Sequence, residues 1–246
     1  MWQLTQNVYN NPTFFEQYAQ MSRSKLGLAG AGEWDNLQKI LPSLTDKKVL
    51  DLGCGYGWHA RYFREKGASS VLAIDSSEKM LTVAREQTTD DKITYLCQSI
   101  EAIDSITETF DLIFSSLVFH YIEDFQGLVE KMTRLLNPGG QLIFTVEHPI
   151  FTADGRQDWI YTENGEIDHF PVDRYYEEGV REVSFLGTKM TKYHRTLTTY
   201  LSTLLQNQLE LTHVIEPIPP VEMLDLPGMK EESRRPMMLI ISATKK

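Results

Sequence analysis

Three glycines stand at alternate positions in the segment VLDLGCGYG, where Gly53, Gly55 and Gly57 follow an apolar run that contains Asp51. A glycine-rich turn behind a strand lets a ligand approach the backbone closely, because no Cβ stands in the way. The spacing is G-x-G-x-G, whereas the dinucleotide fingerprint G-x-G-x-x-G would place its third glycine where Trp58 stands. The turn therefore predicts a ligand at the carboxyl edge of a parallel sheet, and its spacing disfavours a nicotinamide dinucleotide.

A second acidic residue ends the next apolar run. Asp75 follows SVLAI and lies 22 residues beyond Gly53. A carboxylate at the end of a second parallel strand can accept hydrogen bonds from both hydroxyls of a ribose. An ordinary acid at a strand end is the alternative interpretation, but the glycine turn ahead of Asp75 favours a ribose.

Three histidines follow predicted strands and are candidates for a general base. His120 follows the fourth strand, His148 follows the fifth, and His194 lies in KYHRT, where a long insertion rejoins the regular pattern. A base is needed only if a proton must leave the reacting group. His194 is the preferred candidate. The alternatives are that His120 packs under the edge of the ligand and that His148 holds a turn by hydrogen bonds.

Short β-rich runs alternate with helical patterns from about Lys47 onward. The strands are KVLDL, SVLAID, ITYLC, FDLIFSSLVF and QLIFTVEH, and the helices between them include WHARYFREKG, SSEKMLTVAREQ and FQGLVEKMTRLLNPGG. This alternation is typical of right-handed βαβ units, and the apolar runs suit strands buried on both faces. RTLTTYLSTLLQNQ, LELTHVIEP and PMMLIISATK add a helix and two strands. We predict an α/β fold with a doubly wound, mostly parallel sheet.

Two segments fall outside this alternation, in what we expect to be a single domain over 1–246. Residues 1–46 predict a helical N-terminal cap, broken around GLAGAG. Residues 150–191 show no helical period and carry many aromatic side chains, which predicts an irregular lid or substrate insertion. These aromatics indicate an apolar or aromatic acceptor, or else a small core of the lid itself.

The composition limits the partners. The formal charge of −10 argues against binding to phosphate backbones, so we expect no nucleic acid partner despite the short basic run KMTKYHR. Cys54 and Cys97 favour a reduced pair over a disulfide, and neither belongs to a metal-binding cluster. No signal peptide and no apolar run long enough to span a membrane is evident, which predicts a cytoplasmic protein.

Four segments, VLDLGCGYG, AIDSSEKML, FDLIFSSLVFHYI and LNPGGQLIFTVEHP, resemble successive motifs of the class I S-adenosylmethionine-dependent methyltransferases. The similarity is to the small-molecule, methyltransferase type 11-like branch and covers about Lys48 to Pro149. The segments KYHRTLTTYLSTLLQNQLELTHVIEPIPP and RRPMMLIISATKK also resemble this branch, although Gln208 and Leu209 replace its usual glycine-phenylalanine pair. The resemblance implies a seven-stranded sheet of order 3-2-1-4-5-7-6 with the last strand antiparallel.

The resemblance also implies roles around S-adenosylmethionine. Asp51 would reach its amino group, Gly53 and Gly55 would pass under its methionine part, and Asp75 would bind the ribose. The remaining contacts are with the adenosine (Ser76 and Met80), the adenine (Ser99 and Ile100), and the methionine tail (Ser115 and Leu117). From the N-terminal helix, Tyr18 and Arg23 would reach the cofactor carboxylate, or else serve only packing and surface charge.

These features together predict S-adenosylmethionine-dependent methyl transfer to a small-molecule acceptor. Two alternatives remain open: a protein that binds S-adenosylmethionine without catalysis, and an NAD(P) oxidoreductase. The sequence does not identify the acceptor or the oligomeric state.

Overall fold

The computed structural model describes residues 8–225 and 228–246. Its strands are β1 (Lys48–Leu52), β2 (Ser70–Asp75), β3 (Ile93–Cys97), β4 (Phe110–Ser116), β5 (Leu136–Glu147), β6 (Ile160–Tyr161), β7 (Ile167–His169), β8 (Gly179–Phe185), β9 (Thr188–His194), β10 (Leu209–Ile215) and β11 (Met238–Lys245). Its helices are α1 (Pro12–Tyr18), α2 (Ser22–Leu26), α3 (Trp34–Ile40), α4 (Trp58–Glu65), α5 (Glu78–Glu86), α6 (Phe125–Leu135), α7 (Pro149–Thr152), α8 (Leu197–Gln206) and α9 (Met229–Glu232).

Seven strands form one sheet in the order β3-β2-β1-β4-β5-β11-β10. Strands β1 to β5 pair in parallel, while β11 runs antiparallel to both β5 and β10. The predicted order 3-2-1-4-5-7-6 is confirmed, because β10 and β11 are the sixth and seventh strands of this sheet. All five parallel strands end at one edge, where the glycine turn and Asp75 lie.

Helices cover both faces of the sheet. Helices α6 and α8 bury Leu128, Val129 and Leu204 against one face, and α3, α4 and α5 bury Leu37, Phe63 and Leu81 against the other. Side-chain oxygens close the first turns of the helices: Ser77 caps α5, Asp124 caps α6 and Thr196 caps α8. Satisfied caps and apolar inner faces explain why the helical patterns were readable from the sequence.

The N-terminal cap consists of α1, α2, α3 and the 3₁₀ turns Val8–Asn10 and Gly27–Gly30. Residues 1–7 of the predicted cap lie outside the described residues. Asn11 caps α1 by accepting hydrogen bonds from the amides of Thr13 and Phe14. Phe14, which is 1% exposed, anchors this segment in a cluster with Val183 and Met190 of the insertion.

The insertion is more regular than its sequence predicts. Residues 179–194 form an antiparallel hairpin of β8 and β9, joined across Leu186 and Gly187, and β6 pairs with β7. The expectation of an irregular segment ending at Thr191 is therefore wrong. The hairpin continues through His194, and its buried residues lie on every second position.

The segment between β10 and β11 is rich in proline. It contains a 3₁₀ turn at Val221–Met223 and helix α9, while Leu226 and Pro227 lie outside the described residues. Among residues 8–225 and 228–246, none of the helices combines the length and the apolar character that crossing a bilayer requires.

Candidate functional site

The three glycines of the turn after β1 have different structural causes. All three have positive φ, at 76°, 53° and 73° for Gly53, Gly55 and Gly57. A Cβ on Gly53 would lie 2.3 Å from Cγ2 of Val118, and a Cβ on Gly57 would lie 2.3 Å from the Tyr95 hydroxyl. A Cβ on Gly55 would meet no atom within 4 Å. Only Gly55 therefore borders open space, whereas Gly53 and Gly57 are required by neighbouring side chains.

Asp51 lies beneath this turn and is 1% exposed. Its Oδ2 has no hydrogen-bond partner among the described residues. Burial raises the pKa of Asp51 to about 8, and the nearby carboxylate of Asp75 adds to the shift. A buried carboxyl without a partner is costly, so this position favours a ligand that brings a hydrogen-bond donor or a positive charge.

Asp75 links the end of β2 to the turn after β1 through hydrogen bonds. Its Oδ2 accepts a hydrogen bond from the Gly55 amide at 2.9 Å, and its Oδ1 accepts one from the Ser77 amide at 2.8 Å. Burial raises the pKa of Asp75, while these backbone donors oppose the shift. The Ser76 amide is a third backbone donor to this carboxylate, which has about four lone-pair sites, so it can hold the turn and still accept a hydrogen bond from a ligand hydroxyl.

The other predicted cofactor residues lie around the same strand ends with differing exposure. Met80 and Ile100 are buried, at 2% and 5% exposure, while Ser76 is exposed and Ser99 caps a 3₁₀ turn at Ile100–Ser105. The amide of Leu117, at a φ of 58°, donates to the Thr145 carbonyl at 2.9 Å.

Ser115 faces the protein interior. Its side chain is fully buried, and its Oγ donates to the Leu52 carbonyl at 2.7 Å. In this arrangement Ser115 links β4 to the end of β1, so the structure brings its backbone, rather than its hydroxyl, to the strand ends.

Tyr18 and Arg23 are both partly buried beside the glycine turn. The ring of Tyr18 lies edge-on to Tyr56, with centroids 6.0 Å apart. Nη2 of Arg23 donates to both carboxylate oxygens of Glu33, at 2.8 and 3.0 Å, and Glu33 is 1% exposed. Arg23 thus compensates a buried charge of the protein itself.

Both ring nitrogens of His194 are engaged inside the insertion. Nε2 lies 2.9 Å from the Tyr175 carbonyl oxygen, which can only accept, so this nitrogen carries the proton. Nδ1 therefore accepts from the Thr152 hydroxyl at 2.7 Å. Burial lowers the pKa of His194, which is 1% exposed. A general base needs a free ring nitrogen, and this arrangement offers none.

His120 and His148 accept hydrogen bonds from backbone amides. Nδ1 of His120 lies 3.3 Å from the amide of Glu147, and burial lowers the pKa of His120 to about 4. Nδ1 of His148 accepts from the Ile150 amide at 3.1 Å and caps α7. The alternative interpretation of His148, as a residue that holds a turn, matches this geometry.

A buried cluster of Lys192, Glu147 and Gln157 at this edge was not predicted from the sequence. Lys192, which is 2% exposed, donates to Oε1 of Glu147 at 2.6 Å and to Oε1 of Gln157 at 3.0 Å. The hydropathy of TKMTKYH does not indicate it, although Met190, Lys192 and His194 share one face of β9.

Two tyrosines connect this polar group to the cofactor side of the edge. The hydroxyls of Tyr9 and Tyr121 are 3.4 Å apart, and their rings meet edge-on. Burial raises the pKa of Tyr9, and the carboxylates of Asp75 and Glu147 both add to the shift. Tyr9 therefore lies within the electrostatic reach of both acids.

A separate cleft of about 410 Å³ opens on the insertion. It is lined by Gly155, Arg156, Asp158, Trp159, Ile160, Glu182 and Ser184. Glu182 and Ser184 alternate with the buried Arg181 and Val183, so the cleft is on the outer face of the hairpin. None of the predicted site residues lines it.

Comparison with known proteins gives the family. Residues 50–144 match the family model described as a methyltransferase domain. An uncharacterized protein of Haemophilus influenzae is 32% identical, with 97% of each chain aligned. A solved structure from Listeria monocytogenes, assigned as an S-adenosylmethionine dependent methyltransferase, is 50% identical and has a TM-score of 0.82. It covers 87% of this chain and 98% of its own. The chain belongs to the S-adenosylmethionine-dependent methyltransferases.

This membership establishes the methyltransferase activity and S-adenosylmethionine as the cofactor, and it replaces the nicotinamide alternative. It does not name the acceptor of this methyltransferase. A malonyl-[acyl-carrier protein] O-methyltransferase of Enterobacter lignolyticus is 38% identical over 125 residues, but the match spans only 51% of this chain and 49% of that protein. Within the described residues of the methyltransferase, no group of three or more His, Cys, Asp or Glu side chains could hold a metal ion.

Proposed function

We propose that this methyltransferase transfers the methyl group of S-adenosylmethionine to a small-molecule acceptor held beneath the insertion. The observation that carries the proposal is the contact between the N-terminal cap and the hairpin. Phe14 packs against Val183 and Met190, and Phe185 lies 5.9 Å from its ring. Tyr121, which follows β4, packs against the same cluster, so the contact lies at the strand ends and we infer an acceptor site that suits a small molecule better than a macromolecule.

The residues at the strand ends fit the cofactor. The unpartnered Oδ2 of Asp51 suits the cationic amino group, the space beside Gly55 suits the methionine part, and Asp75 has lone pairs left for the ribose hydroxyls. We assign Met80, Ile100 and the exposed Ser76 to the adenosine side, near Ser99. The backbone at Ser115 and Leu117 would border the methionine tail.

Two further polar atoms extend the set that could receive the cofactor carboxylate. Ser24 Oγ and Trp58 Nε1 are buried and have no hydrogen-bond partner among the described residues. Both lie near Arg23 along the chain or across the turn, since Trp58 packs against Gly27. Because Arg23 is already paired with Glu33, these two donors are better placed than Arg23 to bind an additional carboxylate directly.

When bound, the cofactor supplies an electrophilic methyl group on a sulfonium. The protein then has to orient the acceptor and exclude water, and orientation alone can contribute roughly 7–11 kcal/mol to lowering the barrier. We assign both functions to the half-buried rings of Tyr9 and Tyr121. No histidine of the edge has a free basic nitrogen in this arrangement, so we infer that proton removal, where required, does not depend on His194.

Most aromatic side chains of the insertion serve its own packing. Trp159 and Phe170 meet edge-on at 5.3 Å, and Phe151 and Phe170 stack at 5.8 Å around the guanidinium of Arg235. Phe185 differs, because it contacts the cap over the strand ends. We therefore infer an acceptor whose apolar part contacts Tyr121 and Phe185 rather than the other aromatic residues of the insertion.

The decisive experiment follows label from S-adenosylmethionine. Purified enzyme and S-adenosylmethionine with a radioactive methyl group are incubated with a bacterial lysate, which is then passed through a filter that retains proteins and nucleic acids. After chromatography of the filtrate we expect label in a compound other than S-adenosylmethionine that the lysate alone does not form, and we expect Asp75→Ala to abolish it while Asp91→Ala, an exposed carboxylate, does not.

If no label is transferred, calorimetric titration with S-adenosylhomocysteine shows whether the protein binds the product cofactor. We expect Asp75→Ala to weaken binding by about tenfold or more, since hydrogen bonds to a charged group contribute about 1.5–3 kcal/mol. Label retained with protein or nucleic acid would contradict a small-molecule acceptor. Tight binding without any transfer would favour the non-catalytic alternative.

A further inference from the structure

Glu147, Gln157 and Lys192 form a closed ring of hydrogen bonds at the end of β5. Lys192 Nζ donates to Glu147 Oε1 at 2.6 Å and to Gln157 Oε1 at 3.0 Å. Gln157 Nε2 donates to Glu147 Oε2 at 2.7 Å. These contacts fix the amide orientation of Gln157, because its oxygen must face the ammonium group and its nitrogen must face the carboxylate.

The backbone at Gln157 is held in an unfavourable conformation. Its φ is 57°, in the left-handed region that side-chain-bearing residues rarely adopt. Such strain is unfavourable and tends to persist at ligand-binding and catalytic positions. The backbone strain thus lies at Gln157, the residue that completes the ring of hydrogen bonds.

The ring leaves more donors than the protein satisfies. Lys192 has three N–H groups and two acceptors, and Gln157 uses one of the two N–H groups of its amide. His120 accepts at Nδ1 and is neutral, so its Nε2 carries a proton and is a further donor. Donors in excess around one site favour a ligand group rich in oxygen lone pairs.

The local charge points the same way. The ionised groups that act on His120 are Glu147, Lys192 and Arg195, two cations against one carboxylate. Both oxygens of Glu147 are already engaged. The remaining N–H group of Lys192 can therefore bind an additional anion, whereas an additional cation would be repelled by the same ammonium group.

Two aromatic rings stand next to the ammonium. Lys192 Nζ lies 5.9 Å from the ring centre of Tyr121 and 5.7 Å from that of Phe185. Tyr121 in turn contacts Tyr9, which lies within electrostatic reach of Asp75. An acceptor with an apolar body against these rings could place an oxygen group at Lys192 and extend toward the cofactor.

We propose that the methyl acceptor is a small carboxylic acid whose carboxylate is recognised by Lys192 and Gln157, with His120 as a third donor. This inference rests on the proposed small-molecule methyl transfer, for which it names the substrate class. Lys192 and Gln157 are then specificity-determining residues, and Glu147 positions both.

Three probes with one ring and different polar groups test the proposal. Benzoate, benzyl alcohol and benzylamine are titrated into enzyme saturated with S-adenosylhomocysteine, and binding is followed by NMR shifts of labelled tyrosines. We expect benzoate to bind at least about tenfold more tightly than the other two. Equal binding of all three, binding of benzylamine alone, or binding of none would overturn the carboxylate assignment.

Two variants locate the binding. Gln157→Gly removes a donor and places glycine where φ is positive, so the fold should be kept while benzoate affinity falls several-fold. The double variant Glu147→Met with Lys192→Met replaces the ion pair by apolar side chains and leaves no buried charge alone, and it should abolish the preference for benzoate. Lys189→Met, an exposed lysine on the same strand, is the matched control.

Calorimetry with S-adenosylhomocysteine separates this inference from the proposed function. We expect the variants to bind the product cofactor as the wild type does, within about twofold. Benzoate binding that persists in both variants would overturn the assignment to Lys192 and Gln157, even if methyl transfer stands. Failure of the wild type to bind S-adenosylhomocysteine would instead remove the proposed function itself.

Discussion

Burial of the Asp51 carboxyl favours a ligand that brings a hydrogen-bond donor or a positive charge, and it also affects stability. Its pKa is raised from 3.8 to about 8 by burial and by Asp75, so the folded protein without cofactor keeps this group protonated at neutral pH. Between these two values the folded chain binds one more proton than the unfolded chain. The free energy of unfolding then decreases as the pH rises, by up to about 1.4 kcal/mol per pH unit from this group.

Replacement of Asp51 by asparagine removes that dependence. We expect Asp51→Asn to gain stability over the wild type as the pH rises from 5.5 to 7.5, and to bind S-adenosylhomocysteine more weakly because the partner of the amino group is neutral. Urea unfolding of both proteins at the two pH values measures the first effect, and calorimetry measures the second. A stability difference that stays constant with pH would show that Asp51 is ionised in the cofactor-free protein.

Residue types in the sequence predicted which strand ends form the cofactor side, but they did not give the structural reason for each residue. The motif pointed to Asp51, Asp75 and the glycine turn, yet only Gly55 borders open space. Glycine is required at the two other positions because a Cβ there would clash with Val118 or Tyr95, which are distant in sequence. Such contacts are set by tertiary packing, and a spacing pattern in one segment carries no information about them.

Strands and helices that pack apolar side chains were predictable, whereas the hairpin of β8 and β9 was not. Its inner face alternates apolar residues with Arg181, Lys192 and His194, so the period of two is hidden in a hydropathy pattern. Arg181 donates to the Ala153 and Glu177 carbonyls, which explains how a buried cation is tolerated. Buried polar residues that hydrogen-bond to backbone groups stabilise an element, but they do not produce a hydropathy pattern from which the element can be predicted.

The contact between α1 and this hairpin can be weakened selectively. Phe14 is 1% exposed and meets Tyr9 at 5.1 Å and Phe185 at 5.9 Å, outside the two core clusters of the sheet. We expect Phe14→Ala to speed amide exchange in α1 and the hairpin by a factor that corresponds to about 3–5 kcal/mol at most. Exchange in β1 and β4 should not change.

Phe63→Ala is the matched comparison, because Phe63 of α4 packs against Phe114 of β4 in the core of the sheet. It should accelerate exchange throughout the sheet and lower the unfolding midpoint of the whole protein. If Phe14→Ala instead destabilises the sheet as much as Phe63→Ala does, the cap and hairpin are not a separable cover.

At the scale of the whole molecule, the order of the central sheet was predictable and the acceptor was not. Parallel strands joined by helices admit few arrangements, and the four motifs fixed their sequence along the chain. The proposed acceptor side consists of Glu147 of the sheet, Gln157 and Lys192 of the insertion and Tyr9 of the cap. These four segments are far apart in sequence and meet only in the folded chain, so no single motif indicates them.

The cap also contacts the predicted cofactor side directly, and we expect this contact to couple the position of the cap to cofactor binding. Oδ1 of Asn10 accepts a hydrogen bond from the Ser77 hydroxyl at 2.8 Å and lies 3.5 Å from the Lys79 amide. Ser77 in turn donates its amide to Asp75. A ligand that orders the turn around Asp75 should therefore also hold the cap in place, and the coupling must act in both directions.

Asn10→Ala tests that coupling. We expect S-adenosylhomocysteine to slow amide exchange over α1 in the wild type and to slow it much less in the variant. The affinity for S-adenosylhomocysteine should fall by about threefold to tenfold, as loss of a hydrogen bond worth about 0.5–1.5 kcal/mol implies. Asn36→Ala on α3 of the same cap is the control and should leave both quantities unchanged. Equal protection of α1 in Asn10→Ala and in the wild type would mean that the cap closes independently of the cofactor, and access of the acceptor would then be governed by the insertion alone.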